Sequence, residues 1–284
     1  MNETPNPTPP HEITAHEITA HATSAQQIAP PSFLEVGDPA RRIAYRRTPA
    51  AAGGARPGGL WLGGFRSDML STKAARLEAH AAAQGRAFLR FDYSGHGESG
   101  GRFEDGTIGL WLEESLAVFR ALTEGPQVLV GSSMGGWLAL LLARALARAG
   151  EAHRLAGLAL IAPAVDFTQA LMWPKLPPSA RRDLEEKGVW LRPSAYSPEP
   201  YPITRRLIED GRNHLLLDAP IRAHAPVHIL QGMQDPDVPY QHALLLVEHL
   251  AEDPVAITLV KDGDHRLSRE EDIARLIDAF DALA

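Results

Sequence analysis

The chain contains no cysteine. That excludes disulfides, thiolate catalysis and cysteine-ligated zinc, and it leaves the redox compartment open. Lysine is scarce, standing only at 73, 175, 187 and 261, and no basic run offers a stripe for a phosphate backbone. The pairs Arg41-Arg42 and Arg46-Arg47 are too short for one and read as a solvated strand edge. Lys+Arg total 28 against Asp+Glu 35, a net charge of -7, which favours solubility and speaks against nucleic acid as a partner. No apolar run reaches the length of a membrane span: Trp137–Leu146 is short and contains Arg144. The first basic residue is Arg41, so neither a secretory leader nor an Arg-rich transit segment is expected. Arg in place of Lys and abundant Ala point to a bacterial source, and the expected location is cytoplasmic.

What is present fits one α/β domain carrying an insertion: 284 residues, 44% of them hydrophobic. Residues 1–31 read as a disordered tail, with Pro5, Pro7, Pro9, Pro10, Pro30 and Pro31 around a tandem His-Glu-Ile-Thr-Ala repeat. Such a segment buries too little apolar surface to offset its ordering entropy. From residue 32 to 284, short apolar runs alternate with helical periodicity. The runs Gly59–Leu62, Ala87–Phe91, Gln127–Val130, Leu155–Ile161, Val227–Leu230 and Val255–Val260 read as strands of a parallel sheet covered on both faces. Helices are expected near 71–84, 107–123, 135–149, 240–251 and 269–282, with Thr107 and Ser268 as N-caps and Gly85 and Gly150 as stops. Segments 33–36 and 42–48 read as an antiparallel pair ahead of the βα repeats. The rhythm breaks from about 166 to 218, where prolines interrupt the chain and no strand pattern stands out. Short helical stretches at 178–187 and 202–210 and large residues (Met172, Trp173, Trp190, Tyr196, Tyr201) mark this region as a helical lid over the carboxyl ends of the strands. Met172, Trp173 and Trp190 are its candidate substrate contacts.

The chemistry centres on Gly131-Ser132-Ser133-Met134-Gly135, which leaves an apolar strand and enters an Ala/Leu-rich helix. This is the strand–turn–helix setting of a G-x-S-x-G nucleophile elbow, with Ser133 at its tip and at a helix N-terminus. A serine hydroxyl needs a base to take its proton, and in this fold the chain order is Ser, acid, His. Asp235 follows the strand Val227–Leu230 on a Gly-x-x-Asp-x-x-Val-Pro turn and is the candidate acid, with Asp237 as competitor. His265 lies past the next strand in a glycine-containing loop and is the candidate base. His242 and His249 fall on a helix and read as solvated, and His228 inside a strand reads as a core histidine. The oxyanion needs two main-chain donors. Met134, next to the nucleophile, and Phe65, in the Gly63-Gly64-Phe65-Arg66 turn, are the candidates. Gly95-His96-Gly97-Glu98-Ser99-Gly100 spells G-x-G-x-x-G, but no helix opens at Gly100, so a dinucleotide site is set aside. No cofactor and no metal are expected.

Together these segments, with Arg90-Phe91-Asp92-Tyr93-Ser94-Gly95 and Lys187-Gly188-Val189-Trp190, resemble the palmitoyl-protein thioesterase and acyl-glucuronide esterase family of α/β hydrolases over residues 33–282. The resemblance implies an α/β-hydrolase fold and hydrolysis of acyl esters or thioesters in a small-molecule or acylated substrate through Ser133, Asp235 and His265. The leading segment departs from the family in lacking a mitochondrial address, and the stretch 192–218 is too variable to carry a substrate across. Alternative readings are a peptidase or a carbon–carbon bond hydrolase on the same three residues, or a non-catalytic ligand-binding relative. Oligomeric state is open.

Overall fold

In the computed structural model, which describes residues 30–53, 56–193 and 200–284, strand and helix alternate from the third strand to the sixth. Most of the expected tail therefore lies outside the described residues, as do Tyr196 and Pro198. The strands are β1 Ser32–Val36, β2 Arg41–Thr48, β3 Gly58–Leu62, β4 Phe88–Phe91, β5 Gln127–Ser132, β6 Leu155–Ile161, β7 Val189–Arg192, β8 Tyr201–Thr204, β9 Val227–Gly232 and β10 Val255–Val260. The helices are α1 Thr72–Ala83, α2 Ile108–Leu122, α3 Met134–Arg148, α4 Pro178–Lys187, α5 Arg205–Gly211, α6 Tyr240–His249 and α7 Glu270–Ala282.

An 8-stranded sheet runs in the order β1-β2-β4-β3-β5-β6-β9-β10. The β1–β2 and β2–β4 pairs are antiparallel and the rest are parallel. Because side chains alternate across a strand, each central strand feeds two cores. Leu60, Leu62, Leu129, Leu158 and Ile229 join one cluster with Trp111 and Phe119 of α2 and Trp137 and Leu141 of α3. Trp61, Val128, Val130, Ala159 and Leu230 join the other with Leu77 of α1 and Leu276 and Phe280 of α7. Thr107 caps α2, its hydroxyl accepting from Leu110 N at 3.2 Å. Gly85 and Gly150 follow α1 and α3 with φ of 66° and 76°, the left-handed backbone that ends a helix.

Several local expectations are corrected. Ser268 is not the cap of α7: Arg269 is, sharing a reciprocal pair of bonds with Asp272, while the Ser268 hydroxyl turns to Arg266 O at 2.9 Å. Arg41 and Arg46 are not a solvated edge. Arg41 meets the fully buried Glu114 at 2.7 Å, and Arg46 pairs with Glu98. His242 is buried on α6 and bonds Val165 O at 2.8 Å. Between β6 and β9 the chain is not strand-free: β7 and β8 form an antiparallel ribbon with Trp190 opposite Ile203 and Leu191 opposite Pro202. A helix expected over 202–210 is therefore a strand to Thr204, whose hydroxyl caps α5. Pro202 masked this strand in the sequence, yet an isolated two-stranded ribbon tolerates proline because it has free edges.

Candidate active site

Strand β5 ends at Ser132, and the chain turns sharply into α3 through Ser133, whose φ and ψ are 55° and -117°. A non-glycine residue there is strained by about 1–3 kcal/mol and needs the surroundings to hold it. Three main-chain bonds do so: Ser133 N donates to Ile161 O at 2.8 Å, and its carbonyl accepts from Gly136 N at 2.9 Å and Ala164 N at 3.0 Å. The two motif glycines are required by space. A Cβ on Gly135 would collide with the Leu62 carbonyl, and one on Gly131 with that of Gly135.

The loops after β9 and β10 deliver the other two groups. His265 Nε2 lies 3.1 Å from Ser133 Oγ, and His265 Nδ1 lies 2.7 Å from Asp235 Oδ2. An ionised carboxylate only accepts, so Nδ1 carries the proton and Nε2 is left to accept from the hydroxyl. It is Asp235 and not Asp237 whose carboxylate meets the ring in this way. Asp235 Oδ1 is held in turn by the N–H groups of Asp237 and Val238, each at 2.8 Å. The Asp235 side chain is fully buried, while that of His265 is 21% exposed, so the imidazole is reachable from solvent and the carboxylate paired with it is not. Lys73, at the start of α1, fastens the His265 loop by donating to Arg266 O and to Ser268 Oγ, the latter at 3.1 Å. Burial lowers its ammonium pKa to about 8.

Asp235, Asp237 and His265 offer ligand atoms within 4.8 Å of one another, the spacing of a metal site. However, both Asp235 oxygens and both ring nitrogens of His265 are already engaged in the bonds just described. The donor set therefore fits a proton relay better than a metal cage.

A cleft of about 940 Å³ opens over Ser133 and His265. Gly64, Phe65 and Met134 line it beside Ser133, and Phe167, Leu171, Met172, Leu176 and Trp190 supply apolar wall. Gly64 sits close: a Cβ there would be 3.3 Å from Ser132 O and 3.4 Å from Ser133 Cβ. No hydrogen bond among the described residues engages the N–H of Phe65 or of Met134. Trp173 is not part of the wall. Its ring meets the guanidinium groups of Arg181 and Arg212, at 5.1 and 5.6 Å, and packs against the core, so it is corrected to a packing residue. Sequence reasoning missed Arg66, Arg192 and Tyr201 on the cleft. Arg66 lies over the Tyr201 ring at 4.9 Å and Arg192 at 5.8 Å. Nothing local in the sequence announces that stack, since it joins segments far apart in the chain.

Residues 53–279 match the model of the alpha/beta hydrolase family. The chain belongs to the α/β-hydrolase family. This α/β hydrolase is 38% identical over 253 residues to the Bos taurus protein named palmitoyl-protein thioesterase ABHD10, mitochondrial, covering 89% of this chain and 79% of that one. A putative hydrolase from Agrobacterium vitis is 51% identical with a TM-score of 0.85, over 89% of this chain and 98% of the other. The mouse alpha/beta hydrolase domain-containing protein 10 is 35% identical with a TM-score of 0.78, over 90% and 98%. The expected fold and the family resemblance are both met. Among the described residues no helix is long and apolar enough to cross a membrane.

Proposed function

We propose that the protein hydrolyses acyl thioesters and esters through a covalent acyl-enzyme, with Ser133 as nucleophile, His265 as general base and acid, and Asp235 orienting the imidazole. The observation that carries this reading is the unbroken hydrogen-bonded line Ser133 Oγ, His265, Asp235 at 3.1 and 2.7 Å. As Ser133 Oγ attacks the acyl carbonyl, its proton passes to His265 Nε2, and the buried Asp235 carboxylate stabilises the imidazolium. The Met134 and Phe65 N–H groups receive the oxyanion. The imidazolium then protonates the departing thiol or alcohol, and a water deprotonated at the same nitrogen releases the acid. Apart from the substrate and that water, the groups required are side-chain and main-chain groups of this chain.

The relatives named palmitoyl-protein thioesterases support a thioester or ester bond, and the apolar wall of Phe167, Leu171, Met172, Leu176 and Trp190 supports an acyl chain beside it. In this reading the excursion between β6 and β9 is the lid over the acyl pocket. The substrate is a small acylated molecule or an acylated side chain. A cytoplasmic setting stays part of the proposal, and the word mitochondrial in the mammalian names stands against it. The test is a fluorophosphonate probe together with acyl-thioester and p-nitrophenyl ester substrates. Ser133→Ala is expected to abolish labelling and to lower kcat by about 10⁴-fold or more. Wild-type protein that neither labels nor turns over any acyl substrate would refute the reading.

A further inference from the structure

We infer that His96 is a positioning residue for the oxyanion turn, its imidazole accepting the Arg66 N–H and so fixing the backbone that presents Phe65. The inference rests on the hydrolase reading above. Arg66 has a left-handed backbone, φ 58°, a conformation an arginine adopts only when something holds it. The bond from Arg66 N to His96 Nε2, at 3.2 Å, is what holds it. The opposite nitrogen, Nδ1, faces Ser94 O at 3.2 Å. A carbonyl only accepts, so Nδ1 carries the hydrogen and Nε2 is the acceptor.

The ring cannot swing away. It is packed edge-on against Trp111, Phe103 and Tyr93, with centroids at 5.1, 5.2 and 5.6 Å, and only 4% of the residue is exposed. The same loop holds the turn at a second point, since Met69 N donates to Asp92 Oδ1 at 2.6 Å. Phe65, between the close-packed Gly64 and the fixed Arg66, is thereby left one main-chain orientation, and no described residue takes up its N–H. Burial lowers the His96 pKa to about 4, so the acceptor form persists down to about that pH. The Gly-His-Gly run that imitates a dinucleotide motif thus has a use: flanking glycines with φ of 74° and 44° turn the chain so that the imidazole points back under the neighbouring loop.

The test compares His96→Phe, which keeps a ring and loses the acceptor, with His96→Gln, whose carbonyl reaches the Nε2 position, and His96→Asn, whose carbonyl does not. Rates are expressed per site titrated by a fluorophosphonate. A trifluoromethyl ketone, which presents an oxyanion when bound, reads the donor pair directly. His96→Phe is expected to lower kcat by about 10- to 100-fold with KM changed less than about threefold, and to weaken the ketone by the same factor as kcat/KM. His96→Gln should recover most of that loss and His96→Asn should not. If His96→Phe yields no folded protein, the Gln and Asn variants decide alone, and equal kcat and ketone affinity in those two would overturn the inference. Unchanged kcat per titrated site in His96→Phe, with stability alone reduced, would overturn it as well. Either result leaves the acyl-enzyme reading standing, because that reading is tested separately, by turnover in Ser133→Ala and by labelling and turnover of the wild type.

Discussion

At the scale of single residues, the two acids Asp235 and Asp237 are the sharpest contrast. They are two positions apart, yet one carboxylate is buried against the imidazole and the other lines the cleft. Replacing Asp235 by Asn puts an amide where Nδ1–H needs an acceptor and favours the wrong tautomer, so kcat is expected to fall by about 10⁴-fold. Asp237→Asn keeps the Asp237 N–H that supports Asp235 and is expected to stay within about tenfold of wild type. Steady-state kinetics on one p-nitrophenyl ester distinguishes the two, and a larger loss at 237 would reverse the assignment. That Ser133, Asp235 and His265 come together was legible in the sequence because each follows a strand in a locally recognisable turn. His96 and Lys73 were not, because what they do depends on partners distant in sequence: Arg66 N for one, Arg266 O and Ser268 for the other. Trp173 was misread because size and apolarity cannot tell a side chain facing the cleft from one packed against the core and two arginines.

At the scale of elements, the sheet strands were legible, as was α4 at 178–187 within the excursion between β6 and β9, and the β7–β8 ribbon was not. A central parallel strand such as β6, Leu155–Ile161, is apolar on both faces and leaves a continuous hydrophobic run. The β7–β8 ribbon packs on one side only, with Ile203 fully buried while Leu191 is 58% exposed, and Pro202 sits in its second strand. Its pattern is four residues long on each side, too short to establish a period. That ribbon brings Trp190 to the cleft wall. If the wall receives an acyl chain, removing the indole takes apolar surface from long chains and leaves short ones unaffected. Trp190→Ala is therefore expected to lower kcat/KM for a sixteen-carbon ester by about tenfold relative to a two-carbon ester, which corresponds to about 1.4 kcal/mol. Equal effects on both esters would remove the ribbon from the acyl site.

At the scale of the whole molecule, the residues proposed to act together come from the ends of β3, β5, β9 and β10, so an intact sheet is the condition for the site to exist. Anything that shifts global stability with pH therefore shifts the acid limit of activity. His96 is placed to do so. In the unfolded chain its imidazole takes up a proton near 6.5, whereas in the fold it resists until about 4. Burial is the leading cause, and the Arg66 guanidinium adds to it. The facing Tyr93, Phe103 and Trp111 rings bring no compensating charge at acid pH. Between those two values the unfolded state binds the extra proton, so stability falls as pH falls, by about 3 kcal/mol in all for this one group. Above 6.5 the contribution is complete, and below about 4 it is gone, along with the acceptor that Arg66 N–H requires. The half-buried His228 and the buried His242 are lowered in the same direction, so wild type alone does not isolate the effect. The difference between wild type and His96→Phe does. Urea unfolding followed at pH 7 and at pH 4.5 is expected to give the variant a shallower loss of stability on acidification, by about 2–3 kcal/mol, on top of any constant offset from the lost hydrogen bond. Parallel pH profiles in the two proteins would mean that the His96 imidazole titrates in the fold as it does in the open chain, and that the cage of rings around it does not exclude its charge.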